Sequence, residues 1–379
     1  MTVLRQSWFS RLLLPGFAFK AVVIGGGYAT GRELATFFMP SGPLGGVYGM
    51  LLATAIWSSV CALTFLFAFQ TRSRDYRTFF RHLLGPLWPV YEIAYFLAII
   101  VILAVFAAAA AAIGHAVFGW PDVVGAVILV VAIAAVASLG NDAVEGLFKW
   151  VTIFLYGTYA LFVLFSFWKF GGQILSAFST PAPNAGWVTG GVTYAGYNII
   201  GAIVILPVTR HLRSGRDAVV AGLLAGPFAM VPALLFFICM VAFYPAIQAQ
   251  ALPSDYMLKQ LAMPIFRLVF QLMIFSALLE SGVGGVHAVN ERIATAYHQR
   301  RKRPLPRGLR VGATAALLIG SVFIAGQFGL AAIIGEGFRW LSYLFLVIYV
   351  LPLVTIGSWR ILQGKLTEAA SPVSLAEAA

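Results

Sequence analysis

The sequence predicts an all-α polytopic membrane protein: ten transmembrane helices in a 5+5 inverted repeat, with helices 1 and 6 broken. Three observations predict it. The chain of 379 residues is 61% hydrophobic and only 10% charged, whereas soluble domains carry about 25% charged residues. Apolar stretches recur from one end to the other, each close to the ~20 residues a helix needs to cross a bilayer. Two of them, the first and the sixth, are interrupted where the bilayer centre should fall. The alternating segments of a membrane β-barrel, roughly ten residues each, do not occur.

The first span, 12–38, consists of two apolar halves around GGGYATGRE, Gly25 to Glu33. Glycine carries the largest backbone entropy cost in a helix. Arg32 and Glu33 at such depth cost about 2.5–3.5 kcal/mol each on insertion scales. Irregular backbone survives in a bilayer only where protein buries it or it lines a wet cavity, so the break is a candidate binding site rather than an anchor. Spans two to five follow at 43–69, 87–117, 121–139 and 147–168. A linker, 169–186, contains Gly171, Gly172, Pro181 and Pro183 and precedes the second five at 187–209, 217–244, 264–291, 308–329 and 333–359. Span six carries TYAGYN, Thr193 to Asn198, near its centre. The reading is one transmembrane domain, 1–379, with a first repeat over 12–168, a second over 187–361 and a polar tail, 365–379, expected to be disordered. The repeat rests on hydropathy and break position, because no residue-level repeat is visible.

The net charge of +12 suggests a nucleic-acid partner until its distribution is read. Arg72, Arg74, Arg77 and Arg81 fill the loop after span two. Arg210, Arg213 and Arg216 follow span six, and Arg300, Arg301, Lys302, Arg303, Arg307 and Arg310 follow span eight. Basic clusters in alternate loops are the positive-inside pattern, which places these loops and both termini in the cytoplasm of a bacterial inner membrane. The partners implied are membrane lipids and a small-molecule substrate, with no nucleic acid; oligomeric state is left open. Cys61 and Cys239 sit inside apolar spans, without disulfide or metal spacing, and read as small hydrophobes. The N-terminal apolar run has no cleavage site and is kept as the first span. Gly42 and Gly46, Gly45 and Gly49, Gly222 and Gly226, and the run Ala107–Ala112 suit close helix packing.

IGGGYATGRE, Ile24 to Glu33, resembles the first-span motif of the YkvI-like bacterial membrane proteins, and ESGVGGVHAVNERI, Glu280 to Ile293, resembles their eighth-span motif. The wider pattern, five plus five spans with breaks in one and six, resembles the amino acid–polyamine–organocation superfamily with the LeuT-type fold. The resemblance covers roughly 12–360. It implies alternating access, a small and often amino acid-like solute, and Na⁺ or H⁺ as coupling ion. It supplies no substrate.

Candidate residues follow from both lines. The break exposes backbone donors and acceptors, and the half-helix after it turns its positive end to the cavity, which suits a carboxylate. Gly25, Gly26 and Gly27 allow close approach; by the resemblance, Gly25, Gly27, Tyr28 and Thr30 contact substrate. In span six the candidates are Tyr194, Gly196, Tyr197 and Asn198, the last able to donate and accept or simply to join neighbouring helices. Glu280 lies 16 residues beyond Pro264, about 24 Å along the helix, and an intramembrane carboxylate is a functional candidate by default. The resemblance places a sodium site between spans one and eight, for which Ser276 and Ser281 are candidates. The pair of adjacent hydroxyls expected there is missing, so proton coupling through Glu280 is equally supported. Lys20 either snorkels to the cytoplasmic face or stands as a tethered ammonium paired with Glu280 or Glu92. Arg32 and Glu33, facing Glu336 and Arg339 near the outer end of span ten, could form an outer gate of the kind the resembling fold uses. No His/Cys/Asp cluster has metal spacing, and no G-x-S-x-G, H-E-x-x-H or Walker loop is present. No cofactor is expected beyond a possible bound Na⁺. The function expected is secondary transport rather than enzymatic; a nutrient sensor of the same fold and a channel are the alternatives.

Overall fold

Helix boundaries follow from residues that cannot continue a helix or can begin one cheaply. In the computed structural model, which describes residues 7–24, 26–138 and 141–363, a π-helical turn over Phe9–Leu13 leads into α1 (Leu14–Val23), with Pro15 at its start, where a missing N–H does no harm. A single turn, α2 (Gly26–Ala29), and a short helix, α3 (Arg32–Phe37), complete the first span. Pro43 opens α4 (Gly42–Gln70). Asp75 caps α5 (Tyr76–Leu84) by accepting the Thr78 N–H at 2.9 Å. Then come α6 (Pro89–Phe118), α7 (Asp122–Ser138) and α8 (Asn141–Ser179). The second half has α9 (Trp187–Asn198) and α10 (Ile200–Val204), then a 3₁₀ turn over Leu206–His211. Ser214 caps α11 (Gly215–Val241). Finally come α12 (Pro253–Leu261), α13 (Pro264–Arg301), α14 (Arg307–Ala332), α15 (Phe338–Phe345) and α16 (Ser358–Leu362). No strand occurs among the described residues.

Among the described residues six stretches are long and apolar enough to cross a membrane: Met39–Gln70, Pro89–Phe118, Trp150–Ser179, Gly215–Val241, Pro264–Arg301 and Arg307–Leu362. The expected first and sixth spans are divided into short helices and so fall outside that set. The last stretch, 56 residues, holds the expected spans nine and ten and is bent at Gly329, where φ is 71° and ψ 168°. That backbone conformation needs glycine. Beyond the bend the helix widens into π-turns at Ile333–Gly337, Leu346–Val350 and Leu353–Gly357.

Span six is broken less than its sequence suggests. Ile199 keeps helical angles and its N–H still reaches the Ala195 carbonyl at 3.1 Å. The ladder then tightens, with Ala202 N–H bonding Ile199 at 3.0 Å, and leaves the α-helix only at Ile205. TYAGYN is therefore helical throughout.

Polar contacts define two ends. At one end Arg11 grips Asp217 at 2.7 Å, Arg77 lies 3.6 Å from Glu92 and 3.1 Å from Gln299, and Arg360 donates to the His82 carbonyl. The Arg292 guanidinium lies between the Tyr76 and Tyr95 rings, 3.5 Å from each centroid. Burial pushes the Tyr76 hydroxyl up to about 12, so it stays a donor to Glu92, 2.8 Å away. Glu92 is thus the partner of loop and helix arginines. At the other end Arg267 holds Asp255 at 2.7 Å and the Ala116 carbonyl at 2.7 Å, and Lys169 reaches the Leu261 carbonyl at 2.8 Å.

Small residues set the helix spacing. A Cβ on Gly222 would lie 2.3 Å from the Ala62 Cα, and one on Gly226 2.5 Å from the Thr54 carbonyl oxygen, so α11 crosses α4 backbone to backbone. Gly222→Ala is expected to destabilise the fold by about 2 kcal/mol through overpacking, outweighing alanine's gain of about 1 kcal/mol in helix propensity. The measurement is Tm of the purified protein in detergent; an unchanged or raised Tm would mean the crossing has slack. Cys61 and Cys239 are free and buried, as their apolar setting implied.

Candidate functional site

The first break begins where Ile24 leaves helical angles, at φ −81° and ψ 75°. Gly25 lies outside the described residues; Gly26 and Gly27 start the single turn α2. That turn ends at Gly31, whose φ of 76° suits glycine alone among common residues. Thr30 is buried, and its carbonyl accepts the Ser254 N–H of α12 at 3.0 Å. Its hydroxyl accepts from the Arg32 N–H at 3.2 Å. Thr30 therefore fastens the break to α12. α13 packs against α2, placing the eighth span beside the first break.

Around the break lies a cluster of buried tyrosines. The Tyr28 and Tyr159 hydroxyls are 3.2 Å apart, and Tyr159 donates to the Pro232 carbonyl at 2.5 Å. Glu33, 6% exposed, accepts from the Tyr197 hydroxyl and so joins α3 to α9. Among the described residues the buried Tyr194 hydroxyl has no hydrogen-bond partner. Its ring packs tilted or edge-on against Phe37, Phe38, Trp57 and Tyr197, with centroids 4.8 to 6.2 Å apart. Trp57 donates from Nε1 to the Ala195 carbonyl at 3.2 Å, tying α4 to the same face of α9. Next to the break is a cavity of about 400 Å³ walled by Ile24, Tyr28, Tyr156, Tyr159, Pro232 and Met273.

The structure brings together Tyr28, Glu33, Tyr194 and Tyr197, and separates other candidates. Asn198 donates to the Tyr194 carbonyl of its own helix at 3.1 Å, and among the described residues its side chain shows no hydrogen bond to a neighbouring helix. A Cβ on Gly196 would lie 3.0 Å from the Ser342 Cβ, so this glycine serves the α9–α15 contact rather than a break. The expected gate is not assembled. Arg32 donates to the Gln248 and Gln250 carbonyls at 2.9 and 2.8 Å, Glu33 turns inward, and Glu336 pairs with Arg339 at 3.1 Å on the exposed surface. Adjacent residues on a helix point in different directions, which explains why Arg32 and Glu33 part.

Among the described residues Lys20 makes no ion pair. Its ammonium sits 4.2 Å from the Tyr156 ring centroid, and Glu92 is held by arginines, so pairing of Lys20 with Glu280 or Glu92 is not found. Glu280 is half-buried, within electrostatic range of Tyr156. The Ser276 hydroxyl bonds the Leu272 carbonyl of its own helix at 2.8 Å, and Ser276 and Ser281 share no hydrogen bond with Glu280 among the described residues. No group of three His, Cys, Asp or Glu is placed to hold a metal among those residues. Sequence reasoning missed Tyr159, Trp57 and Pro232. The available signal for Tyr159 was its spacing of three from Tyr156, which puts two polar tips on one stripe of an apolar helix.

The fold is the LeuT-type transporter fold, in a multi-pass membrane protein. The chain is similar to MhsT, solved in complex with L-phenylalanine, at TM-score 0.56 and 15% identity over 95% of this chain and 98% of that one. It is similar also to the manganese transporter of Eremococcus coleocola, solved with an aromatic bis-isothiourea compound, at TM-score 0.53 and 16% identity over 93% and 83%. At these identities the likeness is one of fold. No protein-family model matches the sequence, and neither does any curated protein.

Proposed function

We propose that the protein is a secondary active transporter that moves a small, amino acid-like solute across the bacterial inner membrane by alternating access, coupled to Na⁺ or H⁺. The observation that carries this reading is the join between the first and sixth spans: a buried carboxylate on the half-helix after the break, Glu33, held by the Tyr197 hydroxyl of α9. A bilayer-depth carboxylate without a cationic partner is expensive to keep, and its place at a helix discontinuity is where a cavity would form when the spans part. The proposed topology has ten spans, five and five inverted, counting the divided first and sixth, the short α7 and the bent last run as separate crossings. The end joined by Arg11 and Asp217 carries the basic loops and faces the cytoplasm, with both termini.

The proposed substrate space is the backbone of the break at Gly25, Gly26 and Gly27 with Tyr28, Tyr194 and Tyr197. The nearby cavity provides apolar room for a side chain. Lys20, Ser276, Glu280 and Ser281, toward the cytoplasmic end, remain the proposed coupling groups. The complex of MhsT with L-phenylalanine supports the amino acid-like cargo by analogy of fold. Uptake of labelled amino acids and organic acids into proteoliposomes, under imposed Na⁺ or H⁺ gradients, tests the reading. Gradient-driven accumulation is expected. Ligand binding without flux would replace the carrier by a sensor, and unitary currents in a planar bilayer would replace it by a channel.

A further inference from the structure

At the basic end, the chain leaving α4 and the 3₁₀ turn before α11 enclose a cavity of about 430 Å³. Three arginines line it, Arg72, Arg74 and Arg210, above an apolar floor of Ala68, Phe69 and Leu212. All three arginines are exposed, and among the described residues none of them makes an ion pair. Among the described residues no carboxylate lines the cavity. The acids nearest in sequence are engaged elsewhere: Asp75 accepts from the Thr78 N–H and hydroxyl at 2.9 and 2.7 Å, and Asp217 holds Arg11. Among the described residues Arg210 reaches only the His211 ring, at 3.3 Å.

The local backbone fixes this arrangement. α4 ends with the Ser73 N–H bonded to the Ala68 carbonyl at 2.9 Å, which leaves Arg72 at φ 52°, the left-handed position where helices usually end in glycine. An L-residue there costs roughly 1–2 kcal/mol. The Thr71 and Ser73 hydroxyls, 2.8 Å apart, brace the turn from inside. The result is a concave site with three guanidinium forks, no counter-charge among the described residues and an apolar base.

We propose that this cavity binds the phosphate of an anionic phospholipid. Arginine forks match phosphate oxygens two at a time. The apolar floor favours a lipid, whose glycerol and acyl carbons would cover it, over a free anion. The position, at the end carrying the basic loops, is that of an anionic leaflet's headgroups. The inference rests on the membrane orientation and not on transport, so failure of the uptake assay would leave it standing.

The test uses the full-length protein, purified in neutral detergent and delipidated, with Tm followed as lipid is added. Phosphatidylglycerol is expected to raise Tm, phosphatidylcholine to leave it unchanged, and the variant Arg72→Gln/Arg74→Gln/Arg210→Gln to weaken the phosphatidylglycerol effect about tenfold or more in apparent affinity. Arg72→Lys/Arg74→Lys/Arg210→Lys should fall between, keeping charge but losing the forks. The charge-matched control, Arg300→Gln/Arg301→Gln/Arg303→Gln, should respond as the parent does. If the control loses as much, the attraction is diffuse and the site is wrong. An equal response to inorganic phosphate at matched concentration overturns the lipid assignment, and so does a parent with no response to phosphatidylglycerol. Should the triple glutamine variant aggregate, Arg210→Gln alone, in an exposed turn, is expected to weaken the effect several-fold, and parent-like affinity overturns the proposal.

Discussion

Glu33→Gln is expected to lower gradient-driven uptake at least about tenfold while leaving the protein as stable as the parent, or more so. Glutamine keeps the shape and an oxygen that can accept from Tyr197, but it cannot take up or release a positive charge. In this structure the Glu33 carboxyl is buried and accepts from the Tyr197 phenol, with its neighbour Arg32 turned away to the Gln248 and Gln250 carbonyls. A carboxylate in that setting needs neutralising, by a proton, by a coupling cation or by the cargo itself. Removing the charge relieves the buried arrangement of a desolvation cost and removes the group that a coupling cation or a cationic cargo would neutralise. Glu33→Ala should behave differently: it removes the carboxylate that the buried Tyr197 hydroxyl donates to, at a cost of about 1–3 kcal/mol, so both stability and uptake fall. Parent-like uptake by Glu33→Gln would remove Glu33 from the mechanism. Normal binding of cargo with loss of gradient response would assign it to coupling, and loss of binding would assign it to the cargo.

The first break was legible because its signal is local: three glycines in a row and a charge pair inside an apolar run have no comfortable place in a continuous helix. Span six shows the limit of that logic. Gly196 in TYAGYN carries the same local signal, yet it faces Ser342 and the helix runs through it. In a membrane, glycine serves close packing and helix breaking alike, and only the neighbour decides. The packing tracks were readable where small residues recur every four positions, and Gly222 and Gly226 do meet the α4 backbone. The charged partners were not readable. Arg32 caps loop carbonyls 216 and 218 residues away, and Glu336 pairs with Arg339 on its own turn. Such choices depend on helix rotation, to which composition and hydropathy are blind. Tyr159 escaped for a related reason: its partner at Pro232 is a backbone carbonyl in a proline-bearing helix, a partner with no side-chain signature.

Gly190→Ala is expected to be the most damaging single-methyl change in the second half of the chain. A Cβ there would lie 2.0 Å from the Phe37 carbonyl oxygen, and one on the neighbouring Gly191 would lie 2.6 Å from the Gly49 carbonyl oxygen. Both obstacles are backbone, which cannot swing aside as a side chain can. The methyl must push α9 away from α3 or α4, at a cost of about 1–3 kcal/mol or more. The displacement then travels along α9 to the bond that Trp57 makes to the Ala195 carbonyl and to the one between Tyr197 and Glu33. Gly190→Ala should therefore lose both Tm and uptake. Gly157→Ala is the contrast: among the described residues nothing lies within 4 Å of a Cβ there on α8, so helix propensity alone should act and raise stability by up to about 1 kcal/mol. If the two substitutions change Tm equally, the close approach of α9 to α3 does not hold the broken first span in place, and the join at Glu33 would need another support.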